Sequence, residues 1–451
     1  MMKNFLLAIL VLVGATQSLA SDKLVVGYYP SWNRSVYPHT AVQYQNLTHI
    51  AHAFIGPMVD GNLEVPSGFL YPELIQTAHA NGVKVVVSLG GWGTYSDRFA
   101  PLAADTAARH RFVQNLKNFC VTNGYDGADI DWEYPKNATE RTNMRLLISE
   151  LRQAFNTTTP ALLLAMAGPA TNWSGQWFDF SAMMNDFNWI GIMTYDFYGA
   201  WTSKAGHNSA LYGAYPPNDQ GWVDYGVQYY NVTRGVPKSK LLIGIPFYGQ
   251  QFNASALWGT STGATQVVYY SIAPKLQQGW TRYWDAGSQV PYMISPTGNQ
   301  LISYDDSQSV AAKCNYVNST DVAGAIIWAI GQDGVGARQP LLETVGAGLL
   351  RPTSVAQHVG GAVPERFVLK QNYPNPFNGA THIRYGIPES GLVSLRVFDL
   401  LGREVHTLAE GEHAAGEFDA TISSERLSSG VYIYRLTWQG RAISKTLTVL
   451  R

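Results

Sequence analysis

The sequence predicts an α/β domain, a (β/α)8 or TIM barrel, followed by a small all-β sandwich. Three observations lead to this prediction. The chain has 451 residues, too many for one ordinary hydrophobic core. From residue 23 to about residue 350, eight short apolar runs alternate with longer amphipathic segments, as in strand–helix units repeated around a parallel sheet. Farther on, the pattern changes to short alternating strands separated by Gly, Pro and Ser turns.

The eight apolar runs are the predicted barrel strands. They cover residues 23–29, 47–55, 83–90, 127–133, 161–167, 189–195, 241–247 and 324–330. Predicted helices lie between them, at 72–80, 107–122, 140–155, 223–232 and 307–317. Barrels of this kind carry their catalytic residues at the carboxyl ends of the strands, so a site is expected there.

The segment between the seventh and eighth strands is much longer than the others. Residues 253–303 within it are aromatic and non-helical, which predicts a small β-rich insertion that forms one wall of a cleft. Past the eighth unit, a stretch rich in Pro, Gly and Ala predicts a linker over 351–363. The predicted barrel domain therefore spans 21–350, and the predicted sandwich spans 364–451.

The N-terminus has the features of a secretory signal peptide over residues 1–20. Lys3 precedes an apolar run from Phe5 to Val13, and small residues lead to a predicted cleavage after Ala20. That run is shorter than the ~20 apolar residues of a membrane-spanning helix, and no later run approaches this length. An exported protein without a transmembrane segment is predicted.

Composition also limits the partners that the chain could have. The 31 Lys and Arg residues nearly balance the 32 Asp and Glu residues, so no basic surface for nucleic acid or anionic membrane is predicted.

The two cysteines, Cys120 and Cys314, fall in helices on opposite sides of the predicted ring. A disulfide needs Cα atoms within about 7 Å, so both are predicted to be buried free thiols. We expect a monomer.

The stretch DGADIDWEYP, residues 126–135, concentrates acidic residues in an apolar setting. Side chains alternate faces along a strand, so Asp129, Asp131 and Glu133 share the inward face, whereas Asp126 lies on the other. Three carboxyl groups spaced ~6.5 Å apart in a low-dielectric interior cannot all ionise at low cost, so at least one should keep its proton near neutral pH. Glu133, nearest the open end, is the candidate general acid.

Two other interpretations of this cluster are a metal site and a structural network satisfied by Tyr and Ser hydroxyl groups. A metal would need more His or carboxylate ligands than the strand supplies. His52 is the one histidine near a strand end that could face the cluster. We therefore predict no metal and no cofactor.

The segment DGADIDWE resembles the D-G-x-D-x-D-x-E signature of family 18 glycoside hydrolases, the chitinase-like enzymes. The segments VVVSLGGW, GIMTYDFYG, GIPFYG, YDDSQSVAAK and IIWAI resemble family segments on the third, sixth, seventh and eighth strands. The resemblance covers about residues 23–345, and within it the insertion at 253–303 resembles a shortened form of the α+β insertion domain that deepens the cleft in one branch of the family. It implies a retaining hydrolase of β-1,4 bonds between N-acetylglucosamine units, in which the 2-acetamido oxygen of the substrate replaces an enzyme nucleophile.

The resemblance also implies a role for each matched residue. Glu133 would protonate the leaving oxygen, Asp131 would hold the acetamido N–H group, and Asp129 would share a proton with Asp131. Tyr195 would donate a hydrogen bond to the acetamido oxygen. The other implied site residues are the hydroxyl partners of Asp129 (Tyr28, Ser88), the subsite lining (Met193, Asp196), the floor (Trp328) and the cleft walls (Phe54, Trp92, Trp201, Tyr248).

The wall aromatics have a second interpretation, and one position departs from the family pattern. Each aromatic residue of the walls could instead serve barrel packing. Gln250 departs from the family pattern, which places Arg after the Tyr-Gly pair, so the affinity and sugar preference of the cleft do not follow from the resemblance.

The segments QNYPNPFN, FDLLGREV, SSGVYIYRL and KTLTVLR together resemble the C-terminal sorting domain of the type IX secretion system. The resemblance spans nearly all of residues 365–451. It implies that the tail is an export address recognised by that secretion machinery, and that the protein is secreted or held at the cell surface. A fibronectin-like spacer and a carbohydrate-binding module are the alternatives. The tail has a single tryptophan, Trp438, whereas a binding module would present a row of rings.

The sequence thus predicts a secreted chitinase that acts on chitin and chitooligosaccharides. One alternative is an endo-β-N-acetylglucosaminidase acting on glycan cores, but the insertion would lengthen the cleft for a linear polymer. The other is a chitin-binding lectin on the same barrel. In such lectins the acid position is usually replaced, whereas Glu133 is intact here.

Overall fold

The structure, a computed structural model, describes residues 23–213, 221–350, 357–358, 363–424 and 427–450. The predicted signal peptide and most of the predicted linker lie outside these ranges. Among the described helices, none combines the length and apolar character needed to cross a bilayer.

Eight parallel strands close into one barrel, which confirms the predicted fold class. The first strand pairs with both the second and the eighth, so the ring has no open edge. All eight strands overlap the predicted apolar runs. In chain order they are Leu24–Pro30, His49–Pro57, Lys84–Gly90, Gly127–Asp131, Leu163–Pro169, Trp189–Met193, Leu241–Pro246 and Gly324–Trp328.

Helices surround the barrel, and the three longest begin at side-chain caps. Asp105 accepts from the backbone N–H of Ala108, and the equivalent Asn137 and Asp306 cap the helices that follow them. These helices are Thr106–Asn123, Ala138–Phe155 and Ser307–Thr320. The shorter helices are Pro72–Ala80, Thr94–Asp97, Phe99–Ala104, Asn172–Gly175, Phe180–Met183, Val223–Gln228, Tyr269–Ile272 and Pro340–Val345. All five predicted helical segments are present.

The fourth strand shows how alternation divides the barrel. Ala128, Ile130 and Trp132 point outward into the large core beneath the helices, where Trp132 stacks on Phe99 at 5.5 Å between ring centroids. A separate apolar cluster fills the barrel interior, formed mainly by Val26, Tyr28, Ala51, Ala53, Val86, Ala165, Trp189, Leu242 and Ile326. The inward face of the fourth strand is therefore left for the acidic residues.

The insertion before the eighth strand is a five-stranded antiparallel sheet with short helical turns. It begins at Tyr248, five residues before the predicted boundary at 253, because the chain re-enters a sheet directly after the seventh barrel strand. His207 ties a barrel loop to this sheet, since its ring contacts Asp285 at 3.0 Å and Ser303 at 3.3 Å. The strands are Tyr248–Phe252, Ala264–Val268, Thr281–Asp285, Val290–Ile294 and Leu301–Ser303.

Cys120 and Cys314 are both free and buried, as predicted. Burial raises the pKa of the Cys314 thiol to about 12. A thiol that stays protonated and inaccessible is chemically inert, so neither cysteine is a candidate nucleophile.

The tail folds into two four-stranded antiparallel sheets around its own hydrophobic core. Two residues of the predicted linker, Gln357–His358, pair with one of these sheets. The first sheet contains Gln357–His358, Gly416–Ser423, Ala380–Ile387 and Val368–Leu369. The second contains Glu404–His413, Gly391–Phe398, Gly430–Trp438 and Arg441–Val449.

The motif QNYPNPFN holds the last strand of the tail in place. The backbone N–H of Phe377 donates to the carbonyl of Thr448, and Leu450 donates back to Phe377 at 2.9 Å. The Asn375 side chain accepts from the N–H of Thr448 at 2.8 Å. The two ends of the tail that carry sequence motifs are therefore parts of one structural unit.

Candidate active site

The inward carboxyl groups of the fourth strand form a column that becomes more exposed toward the open end of the barrel. Asp129 and Asp131 are 1% and 4% exposed, whereas Glu133 is half-buried. Asp129 is held at the bottom, where its Oδ2 accepts from the hydroxyl groups of Tyr28 at 2.8 Å and Ser88 at 2.7 Å. Burial raises the pKa of Asp129 to about 6, and these two hydrogen bonds offset only part of that effect.

Asp131 is buried in the middle of the column, between Asp129 and Glu133 along the strand. Its pKa is raised well above the usual range by burial, then by the nearby charges of Glu133 and Asp129. Among the described residues, none donates a hydrogen bond to Oδ1 of Asp131 or to Oδ1 of Asp129. Two buried carboxyl groups with free oxygens and raised pKa values favour a shared proton over two separate charges.

Glu133 lies two residues past the end of the strand, which stops at Asp131. Its backbone N–H donates to Oγ of Ser96, and this contact fixes where the chain turns away from the sheet. The pKa of Glu133 is raised to about 7, chiefly by burial. A hydrogen bond from Tyr134 lowers it and the charge of Asp196 raises it. Glu133 can therefore hold a proton near neutral pH and also release it.

Glycines of the third strand let the backbone approach this column closely. Gly90 has φ of +108°, and a Cβ atom there would lie 2.1 Å from the carbonyl oxygen of Asp131. A Cβ atom at Gly91 would lie 2.7 Å from the ring of Phe54. The SLGG segment is thus required by the contacts between the third strand and the site.

The end of the sixth strand contributes Tyr195 and Asp196. Asp196 has φ of 57°, a conformation that Asp adopts more readily than most residues, and its N–H donates to Asn208 Oδ1 at 3.2 Å. Gln250 Nε2 donates to Asp196 Oδ1 at 2.9 Å. Burial raises the pKa of Asp196, and hydrogen bonds from Gln250 and Tyr248 partly offset this effect. Among the residues that the structure describes, the side-chain donors to the Asp196 carboxyl group, Gln250 and Tyr248, are neutral.

Tyr195 lies close to every carboxyl group of the site. Burial raises the pKa of its hydroxyl well above the usual range, followed by the charges of Asp131, Glu133, Asp196 and Asp129. A phenol with such neighbours stays protonated and is available as a hydrogen-bond donor.

Aromatic rings form the floor and one wall of the cleft. Trp328 lies at the end of the eighth strand and stacks on Phe54, with centroids 5.6 Å apart and planes inclined by 19°. Tyr28 contacts the same indole at 5.6 Å. Trp32 continues the row, 6.3 Å from Phe54, and is 62% exposed. Met193 packs against the apolar cluster at the bottom of this wall.

Trp92 and Trp201 are the predicted leaving-group aromatics, and both are open to solvent. Trp92 is 78% exposed and Trp201 is 61% exposed. The indole of Trp201 lies over Gly199, where a Cβ atom would come within 2.3 Å of the ring. Large exposed indoles at strand ends fit ligand contact better than barrel packing.

Two of the implied site residues, Tyr28 and Ser88, lie where the resemblance places them, as hydroxyl partners of Asp129, whereas a third, Tyr248, does not line the open cleft. Tyr28 and Ser88 are buried, and the hydroxyl group of each donates a hydrogen bond to Asp129. Tyr248 was predicted as a cleft wall, but it is 1% exposed and its hydroxyl bonds to Asp196. It begins the first strand of the insertion sheet, and its ring packs edge-on against Tyr195 at 6.1 Å between centroids. These residues position the site and do not form its surface.

Trp32, Trp173 and Trp177 border the cleft but are absent from the predicted set. Trp173 and Trp177 lie in the loop after the fifth strand, and Trp32 follows the first strand. A search for tryptophans within a few residues of each predicted strand end would have found Trp32 and Trp173.

The described residues contain no group of three or more His, Cys, Asp and Glu that could hold a metal ion. His52 does not face the acidic column. It stacks on Phe69 at 4.2 Å between ring centroids, and its Nδ1 contacts the hydroxyl of Tyr125 at 2.9 Å.

Residues 24–333 match the sequence profile of the Glycosyl hydrolases family 18. The chain belongs to this family. Residues 371–450 match the Secretion system C-terminal sorting domain. Both resemblances predicted from the sequence are thereby confirmed. The second match indicates a secreted or cell-surface protein.

Curated relatives of this family 18 chain include chitinases of animals and bacteria. A probable endochitinase of Caenorhabditis elegans is 39% identical over 276 residues, which cover 56% of this chain and 44% of that protein. Chitinase A1 of Niallia circulans is 28% identical over 407 residues, which cover 71% of this chain and 58% of that protein. The chain thus spans about half the length of these two relatives.

Two solved structures are similar to this chain over their whole length. The Ostrinia furnacalis Group IV chitinase in complex with allosamidin has a TM-score of 0.68 and 28% identity, covering 73% of this chain and all of that one. A family 18 N-acetylglucosaminidase from Paenibacillus barengoltzii has a TM-score of 0.66 and 25% identity, with coverage of 73% and 100%.

Replacing Gln250 with arginine, the residue of the family pattern, is expected to shift the basic limb of the kcat/KM profile to lower pH by roughly one unit. The neutral amide leaves the charge of Asp196 uncompensated, and that charge raises the pKa of Glu133. A guanidinium group would stabilise ionised Glu133, so the protonated acid would be lost at lower pH. The measurement is kcat/KM on an aryl chitobioside across the pH range.

Gln251→Arg is the matched control for this change, since it adds the same charge one residue along the same strand, where the side chain points to the other face. Its profile should match that of the unaltered chain. If both arginine variants gave the same profile, Gln250 would have no influence on the acid.

Proposed function

We propose that this chain hydrolyses chitin and chitooligosaccharides at β-1,4 bonds between N-acetylglucosamine units, with retention of configuration. The observation that carries the proposal is Glu133, a half-buried acid with a pKa of about 7 at the open end of the barrel, backed by two buried aspartates. The similarity to endochitinases and to a chitinase bound to allosamidin supports the same substrate class.

In the first step, Glu133 gives its proton to the glycosidic oxygen as the bond to the anomeric carbon breaks. The 2-acetamido carbonyl oxygen of the same sugar forms the new bond to that carbon, which gives an oxazolinium ion. The hydroxyl of Tyr195 would orient the acetamido oxygen, and Trp328 would stack under the reacting ring.

Asp131 would stabilise the positive charge of this intermediate by accepting from the acetamido N–H group. Its negative charge is costly beside Glu133 and Asp129 in the resting site. When Asp129 takes up the shared proton, Asp131 carries the charge where the cation develops. The hydroxyl groups of Tyr28 and Ser88 keep Asp129 in place for this exchange.

In the second step, water adds to the anomeric carbon and the bond to the acetamido oxygen breaks. Glu133, now ionised, accepts a proton from this water and returns to its starting state. Two inversions at one carbon give net retention. Because the protonated form of Glu133 starts the cycle, activity should fall as the pH rises through about 7.

The test of this function is hydrolysis of an aryl N,N′-diacetylchitobioside compared with release of a high-mannose glycan from a glycopeptide. We expect the aryl group to be released and the glycan to stay attached. Release of the glycan without hydrolysis of the chitobioside would identify an endo-β-N-acetylglucosaminidase. Binding of chitooligosaccharide without any hydrolysis would identify a lectin.

We also propose that residues 364–451 address the protein to the type IX secretion machinery. Deleting them is expected to leave chitobioside hydrolysis intact, because the tail and the barrel have separate hydrophobic cores, while the enzyme accumulates inside the producing cell. The measurement is activity in the medium and in the cell fraction for the full and shortened chains. Equal export of both would show that the tail is not the address.

A further inference from the structure

Three consecutive polar residues of the loop after the sixth strand are buried. His207, Asn208 and Ser209 are at most 1% exposed. A polar side chain is costly to bury unless it is hydrogen-bonded, so the partners of these three side chains indicate what they do. Each of them binds another part of the chain, and two of them bind the segment that contains Tyr195.

The sixth strand ends two residues before Tyr195. Peptide groups past that point leave the sheet and need hydrogen-bond partners elsewhere. The carbonyl oxygen of Thr194 accepts from the hydroxyl of Ser209 at 2.6 Å. The N–H group of Asp196 donates to Oδ1 of Asn208 at 3.2 Å. Both peptide groups that flank Tyr195 are therefore bound by side chains of the same loop.

Asn208 also holds an unusual backbone conformation beside Tyr195. Asp196 has φ of 57°, in the left-handed region that residues other than glycine rarely adopt. Such conformations persist where the surrounding contacts hold them in place. The backbone carbonyl of Asn208 accepts from the N–H group of Phe197 at 3.2 Å. Asn208 thus binds two consecutive N–H groups of the turn that follows Tyr195.

The ring of Tyr195 is packed against neighbouring strands. A Cβ atom at Gly244, on the seventh strand, would lie 2.7 Å from Cε1 of this ring. The ring of Tyr248 packs edge-on against it at 6.1 Å between centroids. A shift of either flanking peptide group would carry the ring away from this place, together with the hydroxyl that it bears.

The loop is itself held by the insertion sheet. Oγ of Ser303, on the last insertion strand, accepts from the backbone N–H group of Asn208 at 2.9 Å. The side-chain amide of Asn208 donates to the carbonyl of Tyr248, on the first insertion strand, at 3.2 Å. The ring of His207 contacts Asp285, on a third insertion strand, at 3.0 Å. The insertion therefore supports the loop that binds the end of the sixth strand.

A buried ion pair anchors Ser209. Nζ of Lys313 donates to Oγ of Ser209 and to Oδ2 of Asp305, each at 2.7 Å, and both charged side chains are completely buried. The hydroxyl of Ser309 donates to the second oxygen of Asp305 at 2.7 Å. A buried polar network with its partners in place is rigid. Because an ammonium group can only donate, the proton of Ser209 is left for the carbonyl of Thr194.

We propose that Asn208 and Ser209 are positioning residues for catalysis, which hold the hydroxyl of Tyr195 where it meets the acetamido oxygen of the substrate. The inference rests on the proposed function, in which Tyr195 orients that oxygen for attack. It adds that the insertion and Lys313 act on the reaction through this loop. Attack on the anomeric carbon needs close alignment of the reacting atoms, so a small displacement of the hydroxyl lowers turnover.

The test is a double-mutant cycle between Asn208 and Tyr195, with kcat on an aryl chitobioside as the measurement. Asn208→Ala is expected to lower kcat by about 10- to 10²-fold. In a Tyr195→Phe chain, which has no hydroxyl to position, the same change should alter kcat by about twofold at most. A purely structural loss would lower kcat by the same factor in both backgrounds.

Ser209→Ala gives a second cycle with Tyr195→Phe, in which Lys313 keeps Asp305 as a partner. We expect a loss of roughly tenfold in kcat and the same dependence on the Tyr195 hydroxyl. Asn372→Ala is the matched control, because it removes a buried asparagine side chain from the tail. It should keep the kcat of the unaltered chain.

Equal factors with and without the Tyr195 hydroxyl would overturn the inference, and so would an unchanged kcat in Asn208→Ala and Ser209→Ala. Loss of folding in both variants would also overturn it, because the two residues would then be structural. If Tyr195→Phe kept full kcat, the role of Tyr195 and this inference would both fail. Failure of the unaltered chain to hydrolyse the chitobioside would overturn the proposed function itself, so the unaltered protein distinguishes the two failures.

Discussion

Glu133→Gln is expected to lower kcat on an aryl chitobioside by about 10²- to 10⁴-fold while chitooligosaccharide binding and Tm stay near those of the unaltered chain. The amide has nearly the shape of the carboxyl group but cannot donate the proton or accept it back. Glu133 lies past the end of the fourth strand and is half-buried, so the change leaves no buried group unpaired. The measurement is kcat beside a binding titration.

The control for this variant is Glu73→Gln, which makes the same chemical change on an exposed helix far along the chain from the acidic column. It should retain full turnover. If Glu133→Gln turned over at a near-normal rate, the acid would be another residue, and the roles given to Asp131 and Asp129 would also have to be abandoned.

The barrel could be predicted because its signal is local and repeated. Each strand is a short apolar run bounded by turn residues, and the eight runs occur in regular alternation with helices. The acidic column followed from alternation of side chains along one strand, since Asp129 and Asp131 share a face whatever their neighbours are. Both inferences need only residues that are close in sequence.

The end of the fourth strand was predicted two residues too late. Trp132 and Glu133 continue the apolar and acidic alternation, so the pattern itself contains no stop. The strand ends at Asp131 because the next N–H groups find other partners, among them Ser96 for Glu133. That contact joins residues 37 positions apart in the chain, so no local pattern could indicate it.

Contacts between loops that are distant in the chain also could not be predicted from the sequence. Gln250 was identified as a departure from the family, but its bond to Asp196 spans 54 positions. Tyr248 was expected at the cleft wall from the family resemblance, whereas its neighbours in the fold cover it. The Trp173 loop was missed because its residues belong to no motif, and only the barrel brings them beside Glu133.

The second large expected effect is tight binding of an analogue of the oxazolinium ion, which follows from substrate assistance. A thiazoline derived from N,N′-diacetylchitobiose has the fused ring of the oxazolinium ion and should bind more than 10²-fold more tightly than the substrate, within the range seen for analogues of high-energy states. Asp131 would contact the ring nitrogen of the thiazoline. Tyr195 would contact its ring sulfur, which replaces the acetamido oxygen.

The contribution of Asp131 is separated from general effects on the fold by two asparagine variants. Asp131→Asn should weaken thiazoline binding strongly, because a neutral amide cannot stabilise the cationic ring. Asp126→Asn should not, because Asp126 lies outside the column and bonds to the backbone of Val85. Equal weakening in both would indicate a structural effect.

The most direct test of substrate assistance is the inhibition constant of this thiazoline on the unaltered chain, measured against hydrolysis of the aryl chitobioside. Substrate assistance predicts competitive inhibition with a constant at least 10²-fold below KM. No inhibition at thiazoline concentrations equal to KM would contradict it, because a site that does not recognise the fused ring does not use the acetamido group of its substrate as the nucleophile.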